Sequence, residues 1–554
     1  MFKTIVLAIL LINISFAANS NAERQLERQQ DRTLDLLEKR QERNMIDREL
    51  NYYNKDRRIR KDKIDKDKQK EILEKKYLFT AIRFTNEVPD GLYEILSKYI
   101  NIKLNINDIY ELVKESTNYF VENGYTTTLV TVKRILKDRH ILILEAKYGY
   151  VNNIYLNGED SIRLSLGFPQ DSYDKLNIFD LDQGIENLNN SSYMYNMQIK
   201  PSEKTGYSDI YIDEEFYSYG LTFDLDNSAS KDKGMYRGSI GYTHSNLLNL
   251  NDSINLTYLK RFFNEVTDDK EDIYMLNYSI PIRYLKISYS LQYSYSSSMI
   301  YGITTTQNKS ISMKHKLNLK YILHRSQTDK VSIYLNAELK DNTNKLGSIK
   351  VESSSGRYTS IKAGIDYSTK IANGSFFIMA EYQGGIPFLG GKRNSKDSVY
   401  DINYNKFYFN MSYLKYVYTN ETLGLIFKTN FAGSYSKNTL LYADKFFVGD
   451  EYTIRGFKES SAAWDYGAYI NNTLSLKFMQ PHRLLNIEPF IGLDIGHGRD
   501  YGLPRNDTLV GIAAGFKYYI ENFEISLTIS KDLYKGYGMP NENLPIYFKI
   551  SASV

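Results

Sequence analysis

From residue 216 to its end, the chain alternates apolar and polar residues, and this alternation constrains the fold more than any other feature. In KISYSLQYSY, the Ile, Leu and Tyr side chains from Ile287 to Tyr295 share one face, and the polar residues from Ser288 to Ser294 share the other. SIYLNAEL, EISLTIS and PIYFKISASV repeat the pattern. Because successive side chains of a strand point to opposite faces, the pattern predicts β-strands with one apolar and one polar face.

Such strands suit a transmembrane β-barrel, whose apolar side chains face lipid and whose polar side chains face a wet lumen. A soluble β-sandwich would show the same alternation, but strands rich in Tyr, Ser and Asn offer it little core. Beyond the first residues, no run of 18 apolar residues occurs, so a membrane-embedded chain would have to be a barrel. At about 20 residues per strand and connection, residues 216–554 predict about 16 antiparallel strands.

The first 22 residues, MFKTIVLAILLINISFAANSNA, predict a secretory signal peptide. They carry one Lys, an apolar run too short to span a bilayer, and small residues before the expected cleavage site. The chain has no Cys, which excludes a disulfide scaffold and thiolate metal sites and fits an exported protein. Export and a barrel together predict the outer membrane of a diderm, Gram-negative bacterium.

Residues 23–77 are a charged segment without Gly or Pro. Opposite charges recur at helical spacing, which predicts one solvated helix or two. Apolar residues such as Leu34, Leu37, Ile46 and Leu50 are too sparse to cover a wide core face. The residues alone leave two interpretations open: a helical spacer or short coiled coil, and a polar helix inside a water-filled channel.

Residues 78–215 predict two similar small modules. In the first, YLFTAIRFTNEV predicts a strand, PDGLYEILSKYI and INDIYELVKESTNYFVENG predict helices, and YTTTLVTVKRIL with HILILEAKYG predicts a strand pair. A second stretch repeats the order from YVNNIYLNG to SDIYIDEEF. This order of strand, two helices and two strands predicts α+β modules with helices covering one face of a small sheet.

In this order, the parts resemble the TpsB transporters of two-partner secretion, within the Omp85 superfamily of outer-membrane proteins. NGYTTTLVTV and ILILEAKYGYVNNIYLNG resemble the passage between the family's two POTRA domains, and LNIFDLDQGIENLNN resembles a helix motif of the second. LDNSASKDKGMYRGSIGYTHSNLLNLNDSINLTY, with Asp226 and Asn227, resembles the first barrel hairpin. The resemblance implies a plug helix and linker in residues 23–77, periplasmic POTRA domains at 78–149 and 150–215, and a barrel at 216–554.

Two motifs point to a site inside the barrel. TIRGF contains Arg455, Gly456 and Phe457, and resembles the family's [VI]RG[FY] motif on a loop that folds into the lumen. FIGLDIG resembles the FxxxDxG motif of an inner barrel wall; it contains Phe490, Asp494 and Gly496. The resemblance implies that Arg455 pairs with Asp494 and fixes the loop. A guanidinium fork matches a carboxylate, and a polar lumen tolerates the pair.

The resemblance also implies that the barrel exports a large, unfolded exoprotein of adhesin or haemolysin type with a β-helical fold. A short sheet beside a helix leaves a groove in which an unfolded chain can add a strand. We therefore expect the modules to bind this partner, and we select as binding residues Tyr125, Thr127, Val130, Asp182, Gly184 and Asn187. Other expected partners are outer-membrane lipid and, during biogenesis, the barrel-assembly machinery; the sequence leaves open whether a homodimer forms.

No catalytic motif stands out. The chain lacks a GxSxG elbow, and its six His residues do not have metal-ligand spacing. The basic residues before residue 78 alternate with Asp and lack stacking aromatics, which argues against nucleic-acid binding. We therefore expect no enzymatic activity, cofactor or bound metal. Two rival functions stay open: an Omp85-type insertase for outer-membrane proteins, and a passive porin or adhesin barrel.

Overall fold

The computed structural model describes residues 34–51, 76–189, 193–216, 219–228, 236–262, 269–300, 305–352, 354–394, 400–479, 486–502, 506–520, 522–536 and 539–554. The predicted signal peptide and much of the charged segment after it lie outside these residues. Within the described part of the chain, no helix is both long enough and apolar enough to cross a membrane.

The helices are α1 (34–51), α2 (Gly91–Ser97), α3 (Ile106–Glu122), α4 (Ile162–Gly167) and α5 (Ile178–Leu188). The strands before the barrel are β1 (Tyr77–Leu78), β2 (Ala81–Phe84), β3 (Lys103–Leu104), β4 (Leu129–Leu136), β5 (Ile141–Lys147), β6 (Tyr150–Leu156), β7 (Tyr193–Pro201) and β8 (Tyr207–Phe216).

The later strands are β9 (Tyr219–Asp226), β10 (Tyr236–Ser245), β11 (Ser253–Phe262), β12 (Lys270–Ile282), β13 (Leu285–Ile300), β14 (Thr306–Arg325), β15 (Lys330–Leu346), β16 (Ile349–Lys350), β17 (Gly356–Ile371), β18 (Gly374–Gly385), β19 (Asn405–Thr419), β20 (Leu423–Ser436), β21 (Phe446–Val448), β22 (Ala462–Trp464), β23 (Tyr466–Phe478), β24 (Ile487–Arg499), β25 (Asp507–Ile520), β26 (Phe523–Tyr534) and β27 (Ile546–Ser553).

Sixteen antiparallel strands of the described chain form a closed barrel: β9–β15, β17–β20 and β23–β27. Each pairs with the next, and β27 pairs with β9 to close the ring. The short β16 only extends the hairpin end of β15. The predicted barrel and its strand number are therefore confirmed.

The two faces of the barrel follow the alternation in the sequence. Along β14, Leu317, Leu319 and Tyr321 are exposed on the outside, whereas Ser310 and Ser312 are buried towards the lumen. An outward apolar face is what contact with lipid requires, and polar groups facing inwards can bond to water or to one another. The strand pattern therefore produces a membrane barrel with a polar interior.

Two modules of the same topology precede the barrel. The first module (α2, α3 and β1–β5) has a sheet of order β2-β5-β4, and the second module (α4, α5 and β6–β8) has the order β6-β8-β7. The central strands are β5 and β8. Each is parallel to the first strand of its sheet, β2 or β6, and antiparallel to the strand on its other side, β4 or β7. In α3, a capping box between Asn105 and Asp108 fixes the first turn, and Leu112 and Phe120 bury one face.

The second module docks on three short turns at one end of the barrel. Arg163 Nε donates to Asn251 Oδ1 at 2.9 Å, and Asn187 Nδ2 donates to the Arg283 carbonyl at 2.7 Å. Arg325 Nη1 donates to Gln183 Oε1 at 2.5 Å. These contacts place the module below the barrel wall and leave the opposite rim for the longer loops.

Glu186 of α5 adds an ionic contact at this junction. Its carboxylate pairs with Arg325 and lies 3.4 Å from Lys330 Nζ. Burial alone would raise the pKa of the Glu186 carboxyl, but Lys330 and Arg325 outweigh burial and hold the pKa below its ordinary range. The carboxylate is therefore charged at neutral pH, and the junction keeps its ion pairs.

Candidate functional site in the barrel lumen

The connection from β20 to β23, residues 437–465, folds back into the lumen, and we call it the lumen loop. Its strands β21 and β22 pair as a short hairpin. Val448, Ile454, Phe457 and Trp464 are fully buried and pack with wall residues such as Leu509. The loop therefore has a small apolar core of its own inside a polar barrel, which gives it one defined position.

Arg455 and Asp494 meet in the structure. Arg455 Nε donates to Asp494 Oδ2 at 2.7 Å and Nη2 donates to Oδ1 at 2.7 Å, and the Arg455 backbone N–H donates to Oδ2 at 2.9 Å. The guanidinium also donates to Thr473 Oγ1 at 3.1 Å and to the Asn472 carbonyl at 2.7 Å. Asp494 is 0% exposed and Arg455 5%. Both charged groups are thus removed from water, and they compensate each other through a forked ion pair with further hydrogen bonds.

Glycines in the wall make room for this pair. A Cβ at Gly492 would lie 2.1 Å from Arg455 Nη2, and one at Gly511 would lie 1.6 Å from the Arg455 carbonyl oxygen. Gly456 has a φ of 109°, and a Cβ there would lie 2.8 Å from the Lys531 backbone. Any side chain at these positions would push the loop away from the wall, so the close contact between the loop and the wall depends on glycine.

The remaining motif residues surround the pair. The Arg455 guanidinium carbon lies 6.0 Å from the centre of the Phe490 ring, and Phe457 belongs to the apolar core of the loop. A Cβ at Gly496 would meet Ile454 Cδ1 at 2.4 Å. The structure thus brings all six motif residues to one patch of the lumen.

Glu542, in the connection before β27, is an anchor that sequence reasoning missed. Its Oε2 accepts hydrogen bonds from the Lys458 and Glu459 backbone N–H groups at 2.6 and 2.9 Å. Its Oε1 accepts from the Ser460 N–H at 2.9 Å and from Ser460 Oγ at 2.7 Å. No motif marks a single Glu more than 80 residues away from its partners, so only the structure reveals this contact.

Helix α1 lies inside the barrel and fills the space that the lumen loop leaves. At 1.5 Å per residue, its 18 residues span about 27 Å, close to the height of the apolar band of such barrels. Its buried Leu34 and Leu37 pack with Leu259 and Ile273 of the wall. Towards the other end, its buried residues pack against β18, in a cluster formed by Ile46, Leu50, Phe377 and Met379.

The two charged faces of α1 contact different parts of the lumen. Its basic side chains meet the lumen loop: Lys39 Nζ lies 2.9 Å from Asp450 Oδ2, and Arg43 donates to the Tyr452 carbonyl at 2.8 Å. Three of its acidic side chains meet lysines of the wall: Glu38 pairs with Lys314, Asp47 with Lys428, and Glu49 lies 2.8 Å from Lys330 Nζ. The helix is therefore fixed in rotation and height mainly by polar contacts.

Asp226 and Asn227, the DN pair of the first hairpin, lie at the junction of β9 and β27. Asn227 Nδ2 donates to the Ile546 carbonyl at 3.0 Å, and its Oδ1 accepts from the Phe548 N–H at 2.8 Å. Asp226 accepts from Arg237 Nε at 3.0 Å. Val554 exchanges two backbone hydrogen bonds with Leu221. The first and last strands are thus joined beyond their regular ladder.

The residues selected for partner binding lie in different surroundings. Tyr125 packs edge-on against Phe120 and Tyr148, Thr127 is exposed, and Val130 is buried in the first module. In the second module, Asp182 is half-buried, Gly184 packs under Phe168, and Asn187 bonds to the barrel turn. Val130, Gly184 and Asn187 therefore have contacts inside the chain, and the structure does not bring the six residues together on one surface.

Within the described residues, no group of three or more His, Asp or Glu side chains is placed to hold a metal ion.

A closed sixteen-strand barrel with an inward loop, a helix in the lumen and two βααββ modules at one rim defines an Omp85-type outer-membrane protein with POTRA domains. The chain belongs to the haemolysin secretion/activation protein ShlB/FhaC/HecB family, whose model matches residues 206–518. It is thus an outer-membrane protein with its POTRA domains in the periplasm.

Similar proteins agree with this assignment. Outer membrane transporter CdiB of Dickeya dadantii (strain 3937) is 25% identical over 433 residues, and hemolysin transporter protein HpmB of Proteus mirabilis is 26% identical over 440 residues; each match covers 76% of both proteins. The solved structure of CdiB from Escherichia coli matches 95% of this chain and 98% of its own, with a TM-score of 0.85 and 18% identity. CdiB from Acinetobacter baumannii matches with a TM-score of 0.78 and 19% identity, over 94% of this chain and 98% of its own.

Proposed function

We propose that this chain is a non-enzymatic secretion channel that takes a large, unfolded exoprotein from the periplasm and passes it to the cell surface. The observation that carries the proposal is α1, a separate helix inside a closed barrel. A porin needs no such helix, whereas a channel wide enough for a polypeptide needs a seal at rest. One relative is named a hemolysin transporter protein, and this name supports a secreted exoprotein as the cargo.

The helix is suited to leave the lumen. Apart from small apolar clusters near its two ends, it is held by hydrogen bonds and ion pairs, which water can replace at modest cost. Residues 52–75 connect it to the first module, and a chain of 24 residues can span at most about 80 Å. The helix can therefore move into the periplasm without displacing either module. We propose residues 23–50 as the plug, the residues up to 77 as its linker, and 78–149 and 150–215 as the two POTRA domains.

We further propose that the first module binds the exoprotein along β4. This strand forms one edge of its sheet, because the order is β2-β5-β4. Leu129, Val132 and Ile135 expose 54%, 40% and 38% of their surface along it, and α3 flanks it through the Val130 N–H bond to Thr117 Oγ1. An extended chain could add to the edge by backbone hydrogen bonds and bury these side chains. Tyr125 and Thr127 lie at the start of this edge.

Replacing Val132 and Ile135 together by Ser is expected to weaken binding of the unfolded N-terminal part of the exoprotein about tenfold or more, because two apolar contacts are lost. Titration calorimetry on the full-length protein in nanodiscs measures the affinity. The matched control replaces two other exposed apolar residues of the same module, Tyr93 and Ile102, by Ser. Equal losses in both variants would place the binding surface elsewhere.

An Omp85-type insertase is the second candidate, and one observation favours it. The seam between β9 and β27 pairs five residues, whereas β13 and β14 pair sixteen. A short seam is where a client strand could enter the wall of an insertase. The plug and the two-module periplasmic part favour the secretion channel, and deletion of the gene in its host separates the two functions.

A further inference from the structure

Lysines crowd one side of the lumen wall, on β14–β20. The register places their side chains on the inward face together with Ser, Asn and Gln residues. We call them the lysine track: Lys314, Lys316, Lys330, Lys362, Lys406 and Lys428. The same inward face carries fewer carboxylates, and Asp366 among them is paired with Lys320 at 2.9 Å. This half of the lumen therefore has an excess of positive charge.

The plug shows what the lysine track binds. Glu38 pairs with Lys314, Asp47 pairs with Lys428, and Glu49 lies 2.8 Å from Lys330 Nζ. These three carboxylates are spread over three turns of α1, so the track holds acidic groups along much of the lumen. Lys39 and Arg40 of the same helix contact Asp450 of the loop and Asp224 of β9 instead. The track therefore binds three carboxylates of a helix whose Lys39 and Arg40 bind acidic groups elsewhere in the lumen.

The plug does not use the whole track. A cavity lies between α1, the lumen loop and the wall, and both charges line it: Lys314, Lys362 and Lys406 of the track, and the acidic Asp35, Glu38, Glu338 and Asp444. Lys362 has only distant carboxylate contacts, at 4.0 Å from Glu338 and from Glu381. Lys362 thus lies beside open space, where an incoming carboxylate can reach it.

We infer that the lysine track is a binding site for carboxylate-rich segments of the translocating polypeptide, and that the plug occupies it at rest as an internal acidic ligand. The inference rests on the proposed secretion function, since it names the chemistry of the chain that passes. Each contact is weak in a wet lumen, so a moving chain can exchange one lysine for the next without being trapped. An acidic segment at the periplasmic mouth competes directly with Glu38, Asp47 and Glu49 and thereby favours release of the plug.

The test uses synthetic unstructured 20-residue peptides of Glu, Ser and Gly, with matched peptides that carry Lys or only neutral residues. The strand pairing that closes the barrel includes no residue of α1, so a variant lacking residues 23–51 keeps the closed ring. In planar bilayers, the acidic peptide is expected to block the current of this variant about tenfold longer than the basic peptide, and high salt is expected to erase the difference. With the full-length protein, the acidic peptide alone should raise the frequency of opening.

The triple variant Lys314→Gln, Lys362→Gln and Lys428→Gln is expected to lose the preference for the acidic peptide. The control removes three lysines from the outer hairpin of β14–β16, namely Lys309→Gln, Lys345→Gln and Lys350→Gln, and should retain the preference. Equal block by acidic and basic peptides, or a preference that survives in the triple variant, would overturn the inference. Because the readout is current, this result is independent of whether the protein exports an exoprotein.

Discussion

The Arg455→Ala variant is expected to lose nearly all export while its barrel remains inserted in the outer membrane. The substitution removes four side-chain hydrogen bonds, two of them to Asp494, and leaves that fully buried carboxylate without its charge partner. Breaking a buried pair in this way costs about 3 to 5 kcal/mol, less where water enters. The lumen loop is then held only by its apolar core and by Glu542, and we expect the proposed translocation path beside it to lose its shape. Export is measured as exoprotein in the medium, and insertion as heat-modifiable migration of the barrel.

Arg455→Lys is expected to be defective as well, because an ammonium group cannot bond to both carboxylate oxygens, Thr473 and the Asn472 carbonyl at once. Arg357→Ala is the matched control: Arg357 makes a similar two-bond pair with Asp341, at 2.8 and 3.0 Å, but the pair is exposed. An exposed pair contributes little, so this variant should export normally. Full export by both Arg455 variants would refute the role of the loop contact.

Deleting residues 23–51 is expected to raise the single-channel conductance in planar bilayers several-fold. The helix fills the lumen beside the loop over about 27 Å, and its removal replaces protein with electrolyte. The closed ring of strands does not depend on the helix. Unchanged conductance would mean that the helix does not seal the channel in the membrane.

A single substitution in the plug tests which contact holds the helix in the lumen. Lys39→Met removes the bonds from Lys39 Nζ to Asp450 and to the Phe447 carbonyl and should increase the frequency of opening. Arg48→Met is the matched control, since it removes a positive charge from an exposed position of the same helix. If both variants opened equally often, the contact with the lumen loop would not hold the plug.

The alternation of apolar and polar residues predicted β-strands with two different faces, and the strands rich in Tyr, Ser and Asn together with the signal peptide favoured a membrane barrel over a soluble sandwich. The order of strands and helices in the two modules was predictable because strand-like and helix-like segments follow one another in the same order twice along residues 78–215. The RGF and FxxxDxG motifs indicated Arg455 and Asp494 through a family resemblance. Composition alone would not have paired two residues 39 positions apart.

Other parts of the site could not be read from the sequence. Glu542 is one Glu in a loop, and nothing local shows that it accepts hydrogen bonds from residues 458–460. The position of α1 depends on matching its charged side chains to surfaces built from many strands, so its residues alone left a spacer and a channel helix both open. Asn187 was selected for partner binding on a motif, yet it contacts the Arg283 carbonyl of the barrel. Each of these features depends on long-range contacts that periodicity does not encode.

The most direct test of the secretion function is to delete the gene in its host and compare the released, surface and outer-membrane proteins by quantitative mass spectrometry. We expect one large exoprotein to disappear from the surface and the medium while the other barrel proteins of the outer membrane keep their abundance. Expression of the wild-type chain should restore that exoprotein, and expression of the Arg455→Ala variant should not. A broad loss of outer-membrane barrels, with every surface exoprotein retained, would contradict the secretion channel and identify an insertase instead.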